Sequence, residues 1–316
     1  MSQISITKEE KRKLRNRKYL KIKENYELYL LLVIPILFVA VFNYYPMLGV
    51  QIAFKKYNAA LGIWSSPWAG LYQFKKILTN PKFFQVFRNT LTLSIYQLVI
   101  TPPITVTFAL CLNAVNSKFY KKTVQMLTYM PHFISTVIMV GILVQIFNSR
   151  VGLYGNICKM LGIEAVDIWS KPSSFPHLYV WSGIWQGLGW SSIIYLATLS
   201  SVDPELYDAA SIDGANRFKQ LIHIDFPSIV PTLVILLIMK VGHIMSVGYE
   251  KVLLMQNSLN LSTSEVISTY SYKVGLQSGT DYSYGAAIGL LNSVINLILL
   301  MIVNKISKIV TETSLW

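Results

Sequence analysis

The chain has 316 residues, of which 53% are hydrophobic and 14% charged, and its net charge is +13. This composition excludes an ordinary water-soluble domain, because several runs reach the roughly 20 apolar residues that cross a hydrocarbon core of about 30 Å. Lysine and arginine flank those runs, so the positive charge reads as membrane topology and not as a nucleic-acid surface.

In chain order, residues 1–27 are a basic arm, with nine Lys and Arg between Lys8 and Lys23. The positive-inside rule places that arm in the cytoplasm. Residues 28–316 read as one all-α integral membrane domain of six transmembrane helices, near 28–48, 89–112, 126–147, 177–199, 228–249 and 284–306. The first run exceeds a signal-peptide h-region and lacks a small-residue cleavage site, so it is expected to be a retained span. Six spans return the C-terminus to the cytoplasm, and this topology puts sixteen Lys and Arg on the cytoplasmic side against eleven outside. The protein is therefore expected in the cell membrane as a multi-pass chain with both termini inside.

Segment 51–88, between the first two spans, is too long for a turn and is expected to form short interfacial helices with Trp64 and Trp68 at headgroup depth. Segments 149–176 and 250–283 read as outer loops, the second mostly polar, both available to an extracellular partner.

Several chemistries are absent. No glycine is followed by lysine, which removes the P-loop and with it ATP hydrolysis by this chain. The four histidines, His132, His177, His223 and His243, are widely separated and never in H-E-x-x-H spacing, and no G-x-S-x-G elbow occurs. Cys111 and Cys158 form neither a zinc cluster nor a disulfide framework. The chain is expected to hold no metal and no cofactor, and to catalyse no reaction.

Between the fourth and fifth spans, residues 200–231 hold five of the fifteen acidic residues. Asp203, Pro204 and Glu205 make a helix start: a side-chain cap, a proline at the first position, and an acid at the positive end of the dipole. Leu206, Ala209, Ala210 and Asp213 then fall near one side, and Asp213–Gly214 breaks the helix before a second one, "ANRFKQLIHI", that should end before Pro227. Spacing alone leaves two readings open, a polar helical loop and a rigid knob built to enter a socket.

The stretch "YDAASIDGANRFKQLIHIDFPSIVP" resembles the cytoplasmic EAA loop of ATP-binding-cassette importer permeases. Asp208, Ala209 and Ala210 stand in the E-A-A place, Gly214 follows at the family's distance, and Ile224, Phe226 and Pro227 match its tail. Asp208 for glutamate and Phe226 for leucine depart from the pattern, and the shorter acid alters the geometry of any ion pair made there. "SIDGA" narrows the resemblance to the carbohydrate-uptake class of these permeases, and "SPWAGLYQF", "RNTLTLSIYQL", "YMPHFISTVIMVGIL" and "GYEKVLLMQN" resemble its subgroup importing complex polysaccharide fragments, such as those of pectin or alginate type. The resemblance implies a type I permease architecture that pairs with a second, homologous permease, two ATPase subunits that bind ATP and Mg, and an extracellular substrate-binding protein. It also implies that Asp208, Ala209, Ala210, Asp213, Gly214 and Pro227 form the ATPase-coupling segment, at about 203–227. A stand-alone secondary transporter is the alternative, but its usual membrane acids are nearly missing here.

Candidates for an oligosaccharide path follow from residue type. Trp181, Trp185 and Trp190 in the fourth span offer aromatic platforms, with packing against lipid as the competing reading. Lys240 and His243 lie three residues apart near the middle of the fifth span. A lysine there marks a wet cavity, a carboxylate from the partner permease, or an anionic substrate. Asn292 shares a face with Asn296 in the sixth span, and His132 follows Pro131 in the third; helix association and packing are the competing readings for these. The Gly285–Gly289 pair and Gly183, Gly187 and Gly189 are expected to let helices approach closely.

Overall fold

The structure, a computed structural model, describes residues 24–277, 279, 281–311 and 314–315, so the basic stretch 8–23 lies outside the described residues. Among the described residues all regular elements are helical, with one isolated antiparallel bridge between Lys55 and Trp68. The helices are α1 (Tyr26–Phe54), α2 (Gly62–Ser65), α3 (Tyr72–Thr79), α4 (Pro81–Ala114), α5 (Lys118–Phe133), α6 (Thr136–Ile146), α7 (Leu153–Met160), α8 (Phe175–Ser200), α9 (Pro204–Ile212), α10 (Arg217–Gly242), α11 (Tyr249–Met255), α12 (Leu261–Ser264), α13 (Ile267–Tyr272) and α14 (Tyr282–Thr311).

Four of them, α1, α4, α10 and α14, are long and apolar enough to cross a membrane, and the α5–α6 pair makes a fifth if its two arms count as one span. The fourth predicted span, α8, has the length at 26 residues, but its Ser, Gly and Gln dilute the apolar content. Segment 51–88 does fold into the short helices expected of it, α2 and α3, before α4 starts at Pro81. Asn80 caps that start by accepting from the Lys82 amide.

The third predicted span is not one continuous helix. α5 and α6 meet at 102°. Pro131 closes the last turn of α5, and extended Ser135 caps α6 by accepting from the Ile138 amide. The carbonyl freed at Ile134 is met by Gln186 Nε2 of α8 at 2.9 Å. Beside it Gly189 lets α5 press on α8, because a Cβ there would sit 2.4 Å from the Thr128 carbonyl oxygen.

The fifth predicted span is also redrawn. The helix after Gly214 does not end before Pro227. It runs from Arg217 to Gly242 through a wide π turn at Leu221–Asp225, which shifts the backbone ladder where Pro227 brings no N–H. It then stops seven residues short of the predicted end, and 243–248 is not helical. Side chains satisfy the unwound backbone: Asn296 Oδ1 accepts from the Met245 amide at 3.0 Å, Asn296 Nδ2 donates to Ser246 Oγ at 3.0 Å, and Ser94 Oγ donates to the Ile244 carbonyl.

The described residues of 250–283 include short helices and buried apolar side chains where a mostly polar loop was expected. Val252, Met255, Val266, Ile267 and Tyr270 are buried in the core, and buried Glu265 receives Lys82 at 2.6 Å and Lys273 at 3.1 Å. Three apolar clusters hold the bundle: one joins α4, α6, α8 and α11, one joins the end of α1 with α3, α4, α13 and α14, and one joins α4, α8 and α10. In contrast the apolar side chains of α1 from Tyr26 to Leu48 are exposed, as expected of a helix that meets lipid or another chain.

Candidate functional site

Helix α9 is a short capped helix at the place where the sequence predicted one. Asp203 accepts from the Glu205 amide at 3.0 Å, Pro204 opens the helix, and Gly214 ends it at φ +74°, where an L side chain would be strained. The Ala215 amide closes the turn on the Ala210 carbonyl at 2.8 Å. Asp208, Ala209 and Asp213 are exposed and Ala210 is half-buried. Around them stand large apolar side chains facing outward, with Ile212 86% and Phe218 68% exposed. Pro227 is separated from this group by the π turn and belongs to α10.

The inner side of α9 is tied to two long helices. Tyr207 donates its hydroxyl to Asp225 Oδ1, and Asn113 at the end of α4 donates to the same oxygen at 3.4 Å. Asp225 is 5% exposed. Arg217 donates to the Ala114 carbonyl at 2.8 Å, and Gln220 to Ser211 Oγ at 3.0 Å. Burial first, and the Asp225 carboxylate second, push the Tyr207 hydroxyl up to about 12. Two half-buried and two exposed hydrogen bonds thus join α9 to α10 and α10 to α4.

Toward the other end of α10, a cavity of about 560 Å3 is lined by Ser94, Gln97 and Leu98 of α4, Tyr179 of α8, Leu236, Met239 and Lys240 of α10, and the unwound 243–248. Lys240 and His243 both face it. Among the described residues the Lys240 ammonium has no hydrogen bond or ion pair, and no acid lines the cavity. A cation, an imidazole, an amide and hydroxyls on an apolar wall are suited to a ligand carrying hydroxyls and carboxylates.

The remaining candidates lie elsewhere. Trp181 and Trp185 line a separate, largely apolar cavity of about 560 Å3 between α6 and α8. Trp181 donates to Tyr96 Oη at 3.1 Å, and that hydroxyl also bonds His177 Nδ1 at 2.9 Å. Trp190 stacks on His132 with centroids 4.4 Å apart at 4°, and Phe133 meets it edge-on at the α5–α6 break. Asn296 anchors 243–248, whereas Asn292 is half-buried with its Oδ1 unpaired. Gly285 contacts backbone at Gly275, and Gly289 meets nothing within 4 Å, so the G-x-x-x-G pair does not act as a unit. Likewise a Cβ at Gly183 would meet only the Lys251 ammonium, at 3.2 Å, and one at Gly187 only its helix neighbour Ser191.

Sequence reasoning missed Asn113, Tyr207 and Asp225 in the knob's anchorage, and Gln97 and Tyr179 in the cavity. Asp225 had a visible signal, an acid at the entrance to an apolar run, directly before Phe226–Pro227. The exposed faces of Ile212 and Phe218 had none, since only their packing tells an outward apolar residue from a core one.

With this geometry the chain can be compared with known proteins. Residues 103–308 match the family described as binding-protein-dependent transport system inner membrane component. Protein LplB of Bacillus subtilis (strain 168) is 40% identical over 91% of this chain and 90% of its own length. The polygalacturonan/rhamnogalacturonan transport system permease protein YteP of the same organism is 39% identical over 96% of this chain and 93% of its own. Among solved structures, a chain in the crystal structure of a bacterial alginate ABC transporter, in complex with alginate pentasaccharide-bound periplasmic protein, superposes with a TM-score of 0.86. It is 36% identical, and the superposition covers 95% of this chain and 100% of that one. The chain belongs to the family of binding-protein-dependent transport system inner membrane components, as a multi-pass permease subunit of an ABC transporter.

Proposed function

We propose that this chain is one of two homologous permeases in an ATP-driven importer of oligosaccharides, with acidic fragments of pectin or alginate type as the substrate class. In this reading six spans cross the membrane, α8 and the bent α5–α6 pair included, with both termini and α9 in the cytoplasm. Two ATPase subunits, which bind the ATP and Mg, take α9 into a socket, and an extracellular binding protein delivers the sugar. The chain moves its solute without transforming it. The substrate reading is carried by one observation: Lys240 and His243 face a cavity in which no acid among the described residues neutralises the ammonium. The names of YteP and of the alginate transporter agree with a uronic-acid substrate.

Coupling follows from a rigid knob whose outer face carries exposed Asp208, Ala209 and Ile212 and whose inner face is bonded through Tyr207 to α10, itself bonded to α4. Closure of the ATPase pair would swing those helices as a body and open the cavity to alternate sides. The test is co-purification through a tag on this chain. The wild type retains an ATPase subunit, and Ala209→Glu, which puts a bulky charge on the exposed face of α9, releases it. An ATPase retained equally by Ala209→Glu and by Ile212→Glu would overturn the socket.

A further inference from the structure

Beyond the end of α10 remote from α9 lies a second cavity, of about 680 Å3, that none of the candidate residues touches. Four tyrosines line it: Tyr57 after α1, Tyr249 of α11, Tyr272 of α13 and Tyr282 of α14. They stand in two pairs. Tyr57 and Tyr282 meet edge to face with centroids 5.7 Å apart, and Tyr249 and Tyr272 at 5.1 Å. Ser268 and Ser271 add hydroxyls, and no charged side chain is among the lining residues.

The two cavities share a wall. Gly248 lines the Lys240 cavity and Tyr249, the next residue, lines this one. Ser268 Oγ donates to the Val247 carbonyl at 3.2 Å, fixing the strip between them. The opposite wall is held by backbone contact, since a Cβ on Gly285 would lie 2.8 Å from Gly275 Cα, and Ser271 Oγ donates to the Gly285 carbonyl at 3.0 Å. Paired aromatic rings on a fixed frame, with hydroxyls and no charge, match the two surfaces of a pyranose: an apolar ring face and a rim of hydroxyls.

We propose that this tyrosine cavity is an oligosaccharide subsite at the extracellular mouth, holding the trailing sugar units of a chain whose leading units occupy the Lys240 cavity. The proposal rests on the importer reading above. It makes the subsite a length selector: a fragment too short to reach both cavities gains nothing from the tyrosines, and a longer one does.

The test uses the assembled transporter, purified with its native partners and reconstituted with its binding protein, and compares uptake of digalacturonide and pentagalacturonide. In the Tyr57→Leu/Tyr272→Leu variant the KM for the pentamer rises relative to that for the dimer by roughly tenfold, as expected from losing two ring contacts. The Tyr57→Phe/Tyr272→Phe variant, which keeps the rings, restores most of that ratio and shows that loss of fold is not the cause. An unchanged KM ratio in the leucine variant, with wild-type uptake intact, overturns the subsite alone. Equal losses for both fragments, with faster release of the binding protein, would make the cavity a docking surface and overturn it too. Wild-type uptake of neither fragment removes the acidic-oligosaccharide reading and the subsite with it.

Discussion

Tyr207 and Asp225 lie eighteen positions apart, one on α9 and one in the π turn of α10, and their hydrogen bond is the most direct link between the knob and the bundle. Asn113 brings α4 to the same carboxylate oxygen, so a single buried acid gathers three elements. Removing one hydroxyl from such a node costs about 1–2 kcal/mol, too little to unfold the chain. Tyr207→Phe keeps the ring and deletes the bond. It is expected to leave ATP hydrolysis by the purified complex running while sugar imported per ATP falls several-fold; an unchanged ratio would show that force does not pass through this bond. At this scale the sequence was partly legible. Asp203, Glu205 and Asp213 could be given roles from helix-start and turn chemistry, because those are local rules, whereas Asp208 took its role from the family resemblance alone. Asp225 could not, because its partners come from 18 and 112 residues away.

Among the elements, those legible in the sequence were the ones whose signals are local: the capped start of α9, the Gly214 turn, and the apolar lengths of α1, α4 and α14. The breaks were not. The α5–α6 bend and the unwound 243–248 are stable because Gln186, Ser94 and Asn296 reach them from other helices, and hydropathy along one strand of sequence carries no trace of that help. Helix α11 shows the same dependence. Its Lys251 donates to the Tyr179 carbonyl at 2.7 Å and lies over the Tyr179 ring, and burial pushes its ammonium down to about 7. The unfolded chain binds that proton up to the ordinary lysine value, so between the two pKa values it holds more protons than the folded one. Stability on account of Lys251 therefore rises with pH from about 7 upward and is flat below. Thermal unfolding of the detergent-purified complex at about pH 7 and about pH 9 checks this: the wild type gains over that interval, and Lys251→Met shows a smaller gain. An identical gain in both would exclude Lys251 as its source.

Across the whole molecule, the candidate sites separate by depth along α10. The knob and its tether occupy one end, the Lys240 cavity follows toward the other, and the tyrosine cavity lies beyond it. The sequence placed Lys240 and His243 on one side of a helix, and the structure gives them a shared cavity. It also set the tryptophans of α8 on the same path, whereas Trp181 and Trp185 face a different cavity and Trp190 packs on His132. A tryptophan-rich helix has aromatic platforms on every side, so composition could not say which side meets solute. The central claim, ATP-driven passage of an acidic oligosaccharide past Lys240, is tested most directly by uptake of pentagalacturonide into proteoliposomes holding the complete transporter. The account predicts accumulation that requires ATP and falls by at least about tenfold in Lys240→Gln, as the loss of a charge-assisted contact implies. Accumulation without ATP, or an undiminished rate in Lys240→Gln, would contradict it.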